Sequence, residues 1–270
     1  MEPSYLSNPF YPALVEKLSR RLQASGQQSL LFNVAPGSDV KQQLAAIRQY
    51  NVDAVIILSA TVVSGPVLNW ATEGRAAVLF NRIARDSNLT CVTCDNAHGA
   101  RAIADHFYEL GHRRAAYVAG LPHTTTNQER QNAFITRLAE LGMTLTASAV
   151  GGEYSYIAGH RGALEAIAQK STDAIFFAND ILAAGGIDAL REIAKISVPD
   201  DISVSGFDDV AMSEWPHYRL TTYRQPVDEL VDLTVRLIDE GKASPGSPVE
   251  THVLRGELVV RGTTAPAKSG

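Results

Sequence analysis

Polar side chains suited to holding a small hydrophilic ligand follow several short apolar runs of this sequence. Asn179 comes two residues after one run, Asp208 comes three residues after another, and Arg130 lies at the start of the helical pattern that follows a third. In open α/β sheets, ligands bind at the carboxyl ends of the strands. We therefore expect these three side chains to lie on one rim.

The chemistry of this set favours a hydroxyl-rich ligand. The amide and the carboxylate each offer two polar atoms at a fixed separation, and the guanidinium of Arg130 is a planar fork suited to vicinal hydroxyls or a carboxylate. Three aromatic side chains are expected near the same rim, where they can stack on the apolar face of a ring: Phe10, Tyr154 and Trp215. The set predicts a site for a small polyol, sugar or sugar acid.

A second interpretation of these positions is helix capping. Asn and Asp are favoured at helix N-termini, so Asn179-Asp180 and Asp208-Asp209 can both be caps. We assign Asp180 and Asp209 to capping. We assign Asn179, Asp208 and Arg130 to the ligand, because three independent loops converge on one rim.

The elements that must position these residues alternate along the chain, short apolar runs with amphipathic helical patterns. This alternation predicts a doubly wound α/β fold with parallel strands. The strand-like runs are Leu30–Val34, Ala54–Leu58, Ala76–Phe80, Ala115–Ala119, Ala174–Phe177, Ile202–Ser205, Glu250–Leu254 and Glu257–Val260. The helical patterns cover a segment after Asn8-Pro9, then Val40–Tyr50, Ala97–Leu110, Gln128–Leu141, Gly159–Gln169, Ile181–Ala194 and Val227–Glu240.

About nine such runs are too many for one sheet of ordinary size, which predicts two sheets with a break near Cys94–Asn96. The two cysteines, Cys91 and Cys94, fall on a further strand-like segment, Cys91-Val92-Thr93-Cys94. Positions three apart on a strand face opposite sides, so the two thiols cannot converge on one metal ion. We expect two buried, small apolar side chains.

Composition and motifs exclude several classes of function. The net charge is -5 and the pI about 5.8, so the chain does not bind nucleic acid by bulk electrostatics. It contains no G-x-S-x-G elbow, phosphate-binding loop or dinucleotide fingerprint, and its histidines lack ligand-like spacing. We expect neither an enzyme nor a metal or other cofactor. Without a signal-peptide pattern or a membrane-spanning run, a cytoplasmic location is expected.

Five segments, in order and spacing, resemble the effector domains of LacI/GalR-family transcriptional regulators. They are Ser7–Tyr11, Leu110–Gly120, Phe176–Gly185, Ile202–Asp209 and Leu220–Pro226. Two departures lie outside the predicted pocket: Ala133 stands where glycine is usual, and Gly262 where an acidic residue is common.

The resemblance implies a periplasmic-binding-protein-like core of type I, with two doubly wound parallel-sheet lobes joined by three crossover strands. The crossovers are expected near Cys94–Asn96, Arg224–Gln225 and Thr251–Val253. The expected division is an N-terminal lobe over 1–94 plus 226–251, a C-terminal lobe over 95–225 plus 252–264, and a flexible tail over 265–270.

The resemblance also implies what the cleft between the lobes does. It binds a small effector, commonly a sugar or nucleobase, at positions that match Arg130, Asn179 and Asp208. The positions that more variably contact or approach the effector match Asn81, Thr124, Thr126, Tyr154 and Phe10. Effector binding changes operator affinity in a homodimer, usually of a repressor, through an N-terminal helix-turn-helix headpiece that this sequence does not contain.

Two further expectations concern the start of the chain and its class. The sequence opens on what should be the loop after a central strand, so we expect further residues to precede Met1 in the natural polypeptide. The alternative function is a periplasmic-type solute receptor with the same fold. Such a receptor would carry a secretion signal or a lipid-attachment cysteine.

Overall fold

The strands form two separate sheets in the computed structural model, which describes residues 8–32, 49–58, 72–84, 87–168 and 172–268. The helices are α1 (Phe10–Ala24), α2 (Asn96–Glu109), α3 (Thr125–Glu140), α4 (Tyr156–Ala168), α5 (Asp180–Asp188) and α6 (Val227–Asp239). The strands are β1 (Ala54–Ile57), β2 (Ala76–Phe80), β3 (Thr90–Cys94), β4 (Arg114–Ala119), β5 (Thr144–Val150), β6 (Ala174–Phe177), β7 (Ser203–Asp208), β8 (Thr221–Arg224), β9 (Thr251–Leu254) and β10 (Glu257–Val259).

Each sheet is the centre of one lobe. Among the described residues the first sheet has the order β1-β2-β3-β9, and the second has the order β10-β8-β7-β6-β4-β5. All neighbouring strands are parallel except β10, which runs antiparallel to β8 at the edge of the second sheet. The prediction of two doubly wound, parallel-sheet lobes is confirmed, with one antiparallel edge strand added.

The chain crosses between the lobes at three places. It leaves the first sheet after Cys94, and it returns after Arg224 into α6, which packs against α1, β2 and β3. The third crossing lies between β9 and β10, at residues 255–256. The expected boundary at 251/252 is therefore three residues too early, because β9 pairs with β3 along its whole length, as far as Leu254.

The first expected strand is not formed where the structure describes it. Residues Leu30 to Phe32 lie outside any strand, Leu30 and Leu31 are exposed, and Asn33 and Val34 fall outside the described residues. A strand needs a partner for its backbone groups, and among the described strands only β2 pairs with β1. The predicted helix 40–50 also lies outside the described residues, apart from its last two positions.

Strand β3 is buried on both faces, as a central parallel strand should be. Cys91 packs in a small cluster with Leu79, while Cys94 packs in the main core with Phe80 and Val92. The two thiols face opposite sides of the sheet, as the spacing predicted, and both are free. Burial raises the pKa of both cysteines, that of Cys94 to about 12, so neither is a reactive thiolate at neutral pH.

The end of the chain is held to the second lobe. The Ala267 amide donates to the carbonyl of Leu110 at 2.7 Å, and the Lys268 ammonium contacts Asp201 at 2.6 Å. The segment expected to be a flexible tail therefore has bonded partners as far as Lys268, because it supplies a donor to a carbonyl beyond the end of α2. None of the described helices is long and apolar enough to cross a bilayer.

Helices α4 and α5 approach each other closely at two glycines. A Cβ added to Gly185 would lie 1.9 Å from the carbonyl oxygen of Tyr156, and one added to Gly159 would lie 2.0 Å from that of Leu182. Backbone atoms cannot give way as a flexible side chain can. The two helices therefore pack as one unit beside β4 and β6 only while both positions remain glycine.

The substitution Gly185→Ala should push α4 and α5 apart and lower the free energy of unfolding by about 1–3 kcal/mol, the usual cost of overpacking. Urea unfolding followed by circular dichroism measures the change. Glu165→Ala, at an exposed position on α4, is the control and should change stability by less than about 0.5 kcal/mol. Equal midpoints for wild type and Gly185→Ala would contradict the close packing.

Candidate functional site

A cavity of about 440 Å³, including space open to solvent, lies between the two lobes at the carboxyl ends of their strands. Its lining comes from both lobes and is mostly amides, hydroxyls and charged groups. The lining residues are Asn8, Phe10, Tyr11, Asn81, Arg82, Thr124, Thr125, Thr126, Arg130, Tyr154, Asn179 and Asp208. A concave site with several convergent polar groups is typical of small-molecule binding.

The three main predicted residues meet in the second lobe. The Arg130 guanidinium lies 3.6 Å from Oδ1 of Asp208, and the Asn179 side chain acts on the same carboxylate, whose pKa it lowers. All three side chains are buried. Arg130 is fixed by two further bonds, from Nε to Oδ1 of Asn96 at 2.9 Å and from one terminal nitrogen to the carbonyl of Ala178 at 2.6 Å. The structure thus brings together the groups expected on one rim.

The Asp208 carboxylate sits in an unfavourable place for a charge. Burial raises its pKa to about 7, the nearby Asp180 carboxylate adds to that rise, and Arg130, Gln225 and Asn179 partly oppose it. A buried side chain whose charge is costly is well placed to accept hydrogen bonds from hydroxyl groups, which stabilise the ionised form.

The two residues assigned to capping have other roles. Asp180 is fully buried and accepts hydrogen bonds from the Val210 amide and from the hydroxyls of Ser213 and Thr222. It therefore fixes the chain that leaves β7. Asp209 contacts two arginines, Arg224 at 2.6 Å and Arg261 at 2.7 Å, rather than a helix N-terminus.

The true cap of α5 is Asn179, whose Oδ1 accepts from the Leu182 amide at 3.1 Å. The same side chain lines the cavity, so its capping role does not exclude the predicted ligand contact. Capping fixes the amide in one orientation. Its remaining polar atom is thereby held toward Asp208.

Two of the five non-glycine residues with positive φ among the described residues line this cavity. Asn81 has φ 58° and Asp208 has φ 126°, both in a region that L-residues rarely occupy. At Gly206, which precedes Asp208 in β7, a Cβ would lie 2.3 Å from Oδ1 of Asp180, so no larger residue fits beside that buried carboxylate. The loop geometry after β7 thus depends on one glycine.

Asn81 presents an unsatisfied acceptor to the cleft from the first lobe. The backbone N–H of Asn81 donates to the Val92 carbonyl at 2.8 Å, which fixes the residue at the end of β2. Its side-chain Oδ1 is buried and has no hydrogen-bond partner among the described residues. An unpaired buried acceptor costs about 1–3 kcal/mol, which a ligand hydroxyl would recover.

Thr124, Thr126 and Tyr154, which the sequence also predicted, form a cluster of hydroxyl groups on the wall that the second lobe contributes. The Tyr154 hydroxyl lies 3.3 Å from Oγ1 of Thr124, and the hydroxyl of Thr126 lies 3.4 Å from the same atom. Thr124 also caps α3 through the Asn127 amide. The Tyr154 ring covers Gly120, where a Cβ would lie 2.2 Å from a ring carbon. All three predicted residues therefore lie at the cavity.

The two other predicted aromatic residues differ in whether they line the cavity. Phe10 lines the cavity from α1, and its amide is capped by Oδ1 of Asn8 at 3.1 Å. Trp215 is 56% exposed and does not line the cavity formed by the described residues. The single 3-10 turn Ala211–Glu214 separates it from Asp208 and carries it to the surface.

Sequence reasoning did not select four of the lining residues: Asn8, Tyr11, Arg82 and Thr125. Arg82 follows Asn81 at a strand end, so the strand-end argument places it on the rim, although it was not chosen as a ligand contact. Thr125 accepts a hydrogen bond from the Ile83 amide at 3.4 Å and so joins the two lobes across the cleft. Only the tertiary structure reveals such a contact.

A second constellation has the residue types of a hydrolase triad. His112 lies 2.8 Å from the Ser203 hydroxyl and 3.5 Å from Asp173. Ser203 is fully buried and is also hydrogen-bonded to the backbone of Ala265. No substrate reaches that hydroxyl, so the arrangement holds the end of the chain. The described residues contain no cluster of His, Cys, Asp and Glu suited to a metal ion.

Comparison with known proteins gives one consistent result. A family model described as a periplasmic binding protein-like domain matches residues 104–264. The HTH-type transcriptional regulator DegA of Bacillus subtilis is 30% identical over 269 residues, which cover 97% of this chain and 79% of that protein.

Solved structures agree with the sequence relatives. A LacI transcriptional regulator from a Rhodococcus species has a TM-score of 0.87 and 27% identity, covering 97% of this chain and 96% of its own. A LacI family regulator from Enterococcus faecalis V583 with bound ribose has a TM-score of 0.85 and 25% identity, covering 97% of each chain. The chain belongs to the LacI/GalR family of transcriptional regulators and carries the family's periplasmic-binding-protein-like effector domain.

Proposed function

We propose that this effector domain binds a small hydroxyl-rich molecule, a sugar, sugar acid or polyol, in the cavity between the lobes. The observation that carries the proposal is the convergence of Arg130 and Asn179 on the buried carboxylate of Asp208 at the cavity wall. Asn81 adds an unsatisfied acceptor from the opposite lobe. Bound ribose in the related Enterococcus faecalis regulator supports the same class of ligand.

The lining favours this class over a nucleobase. A nucleobase site usually encloses a flat ring between apolar or aromatic faces, whereas only Phe10, Tyr11 and Tyr154 among the described lining residues are aromatic. Amides, hydroxyls and charged groups make up the rest of the wall. Such groups fit a ligand with a donor and an acceptor at almost every carbon.

The mechanism follows from the division of the site between the lobes. Asn81 and Phe10 belong to the first lobe, while Arg130, Asn179 and Asp208 belong to the second. A ligand that contacts both sets binds best when the lobes present them together. Binding therefore shifts the population toward that arrangement, by as much as its affinities for the two arrangements differ.

The partners of the domain come from its family. We expect a homodimer, in which a change of lobe arrangement alters the spacing of two N-terminal helix-turn-helix headpieces and so the affinity for operator DNA. Such a regulator, of the repressor type, works without catalysis or a cofactor and acts in the cytoplasm, where bacterial DNA is found. The periplasmic solute receptor is not favoured, because the matched relatives are transcription regulators.

A thermal-shift screen tests the ligand class. Ribose, glucose, gluconate, cellobiose, arabitol and adenine are each added to the purified chain, and at least one hydroxyl-rich compound should raise the melting temperature, because a ligand of the folded state stabilises it. Adenine alone raising the melting temperature would overturn the assignment to sugars and polyols. A flat response to every compound would contradict the site itself.

Calorimetry on the best compound then tests the residues. Asp208→Ala should weaken binding roughly 10- to 100-fold, the loss expected for hydrogen bonds to a charged group. Asp53→Asn removes one carboxylate at an exposed position and should bind like wild type. Unchanged affinity in Asp208→Ala would remove Asp208 from the site.

The pH dependence of stability provides an independent test of the Asp208 environment. Its pKa rises on folding from the usual value near 3.9 to about 7, so the folded state holds this proton more tightly. The contribution of protonated Asp208 to the free energy of unfolding is fully present below pH 4 and is lost as the pH rises to about 7. The unfolding free energy of wild type relative to Asp208→Asn should fall by a few kcal/mol over that range. A constant difference from pH 4 to 8 would contradict the assigned environment.

A further inference from the structure

Gln225 is a buried residue at the second crossover that lies outside the lining of the cavity. Only 3% of it is exposed, and its Nε2 donates to Oδ1 of Asp208 at 2.6 Å. It follows β8 directly, and its carbonyl accepts from the Val227 amide at the start of α6. One side chain thus joins the carboxylate of the candidate site to the chain that passes between the lobes.

Among the contacts to this carboxylate whose distances are known, the hydrogen bond from Gln225 is the shortest. The Arg130 nitrogen is a full 3.6 Å from the same oxygen, beyond ordinary hydrogen-bond length. The other titratable groups that act on Asp208 are Asp180 on α5, Cys94 at the end of β3 and Tyr154 before α4. None of these three donates to the carboxylate. Gln225 is therefore well placed to decide where the carboxylate points.

The amide of Gln225 has a definite orientation for a physical reason. An ionised carboxylate only accepts hydrogen bonds, so the amide must turn its NH₂ group toward Asp208 and its oxygen away. That oxygen, Oε1, is buried and has no partner among the described residues. The bond to Asp208 therefore compensates an unsatisfied acceptor on the same amide.

The crossover on either side of Gln225 is held to both lobes. Arg224 forms ion pairs with Asp209 and Glu257 in the second lobe. Beyond Pro226, helix α6 packs against the first sheet and against α1. Any change in the bond between Gln225 and Asp208 therefore acts on a segment whose two ends belong to different lobes.

We propose that Gln225 is a positioning residue of the effector site, which holds the Asp208 carboxylate toward the cleft and transmits the state of that carboxylate to the second crossover. The proposal rests on the proposed function in that Asp208 is taken as a ligand group. A ligand hydroxyl that donates to Asp208 shares the carboxylate with the Gln225 amide. When a proton binds Asp208 instead, the carboxyl group can donate to Oε1 of Gln225, so the amide can turn and satisfy its own oxygen. Either event changes the contact between Asp208 and the chain that leads into α6.

Nuclear magnetic resonance tests the proposal without any ligand. The full chain is labelled with ¹³C and ¹⁵N and titrated from pH 5 to 9, following the Asp208 carboxyl carbon, the Gln225 side-chain amide and the backbone amides of Val227 and Leu230. In the wild type all four signals should move with one midpoint near 7. In Asp208→Asn the Gln225 and α6 signals should become independent of pH.

The variant Gln225→Met keeps the length of the side chain but cannot donate. The Asp208 midpoint should rise by about one pH unit, the equivalent of one lost hydrogen bond to a charged group, and the α6 signals should stop following it. Gln27→Met is the matched control, because Gln27 donates in the same way to Asp239 between α1 and α6. It should leave the Asp208 midpoint where it is.

Each result decides the proposal. If the Gln225 side-chain amide signal does not follow the titration of Asp208 in the wild type, the proposal is overturned, even if Gln225→Met does not fold. An unchanged Asp208 midpoint in a folded Gln225→Met variant overturns it as well. α6 signals that still follow Asp208 in that variant show that the transmission runs through other residues. Because no ligand is added, failure here is separate from a failure of the sugar screen.

Discussion

A carboxylate taken out of water has to be surrounded by donors, and the buried carboxylate of Asp208 imposes that requirement on the whole second lobe. Arg130 reaches it from α3, Asn179 from the start of α5 and Gln225 from a crossover. Three separate elements must keep their relative positions for the charge to be tolerated. Asp180, with its three hydrogen bonds, fixes the loop that carries the group. The part of the cavity wall around Asp208 is therefore shaped by the need to accommodate one negative charge.

Much of this arrangement could be predicted from the sequence because strand ends are easy to locate in an α/β chain. Short apolar runs bounded by polar residues marked β6 and β7, and the residues that follow a parallel strand necessarily lie at one rim. The opposite orientations of Cys91 and Cys94 followed from the two-residue period of a strand alone. These predictions depend only on local geometry and on the rule that buried strands are apolar.

The failures share a different cause, which is that a tertiary partner decides the outcome. Leu30 and Leu31 have the composition of a strand, but strand formation depends on a neighbour to pair with. Trp215 lies close to Asp208 in the chain, yet one turn of 3-10 helix directs it to the surface. Asp209 looks like a helix cap until two arginines, distant in sequence, are placed beside it. Burial and long-range ion pairs cannot be inferred from periodicity.

Strand β9 has a consequence for the order in which the protein can be made. It pairs with β3, although Thr251 and its partner Cys91 are 160 residues apart in sequence. As the chain emerges from the ribosome, β3 is therefore an open edge until nearly all of the second lobe has been synthesised. Long-range pairing of this kind slows folding, and an unpaired edge exposes the chain to association with others. The second lobe, whose strands β4 to β8 are contiguous in the chain, can form first and hold the two ends of the first lobe near each other.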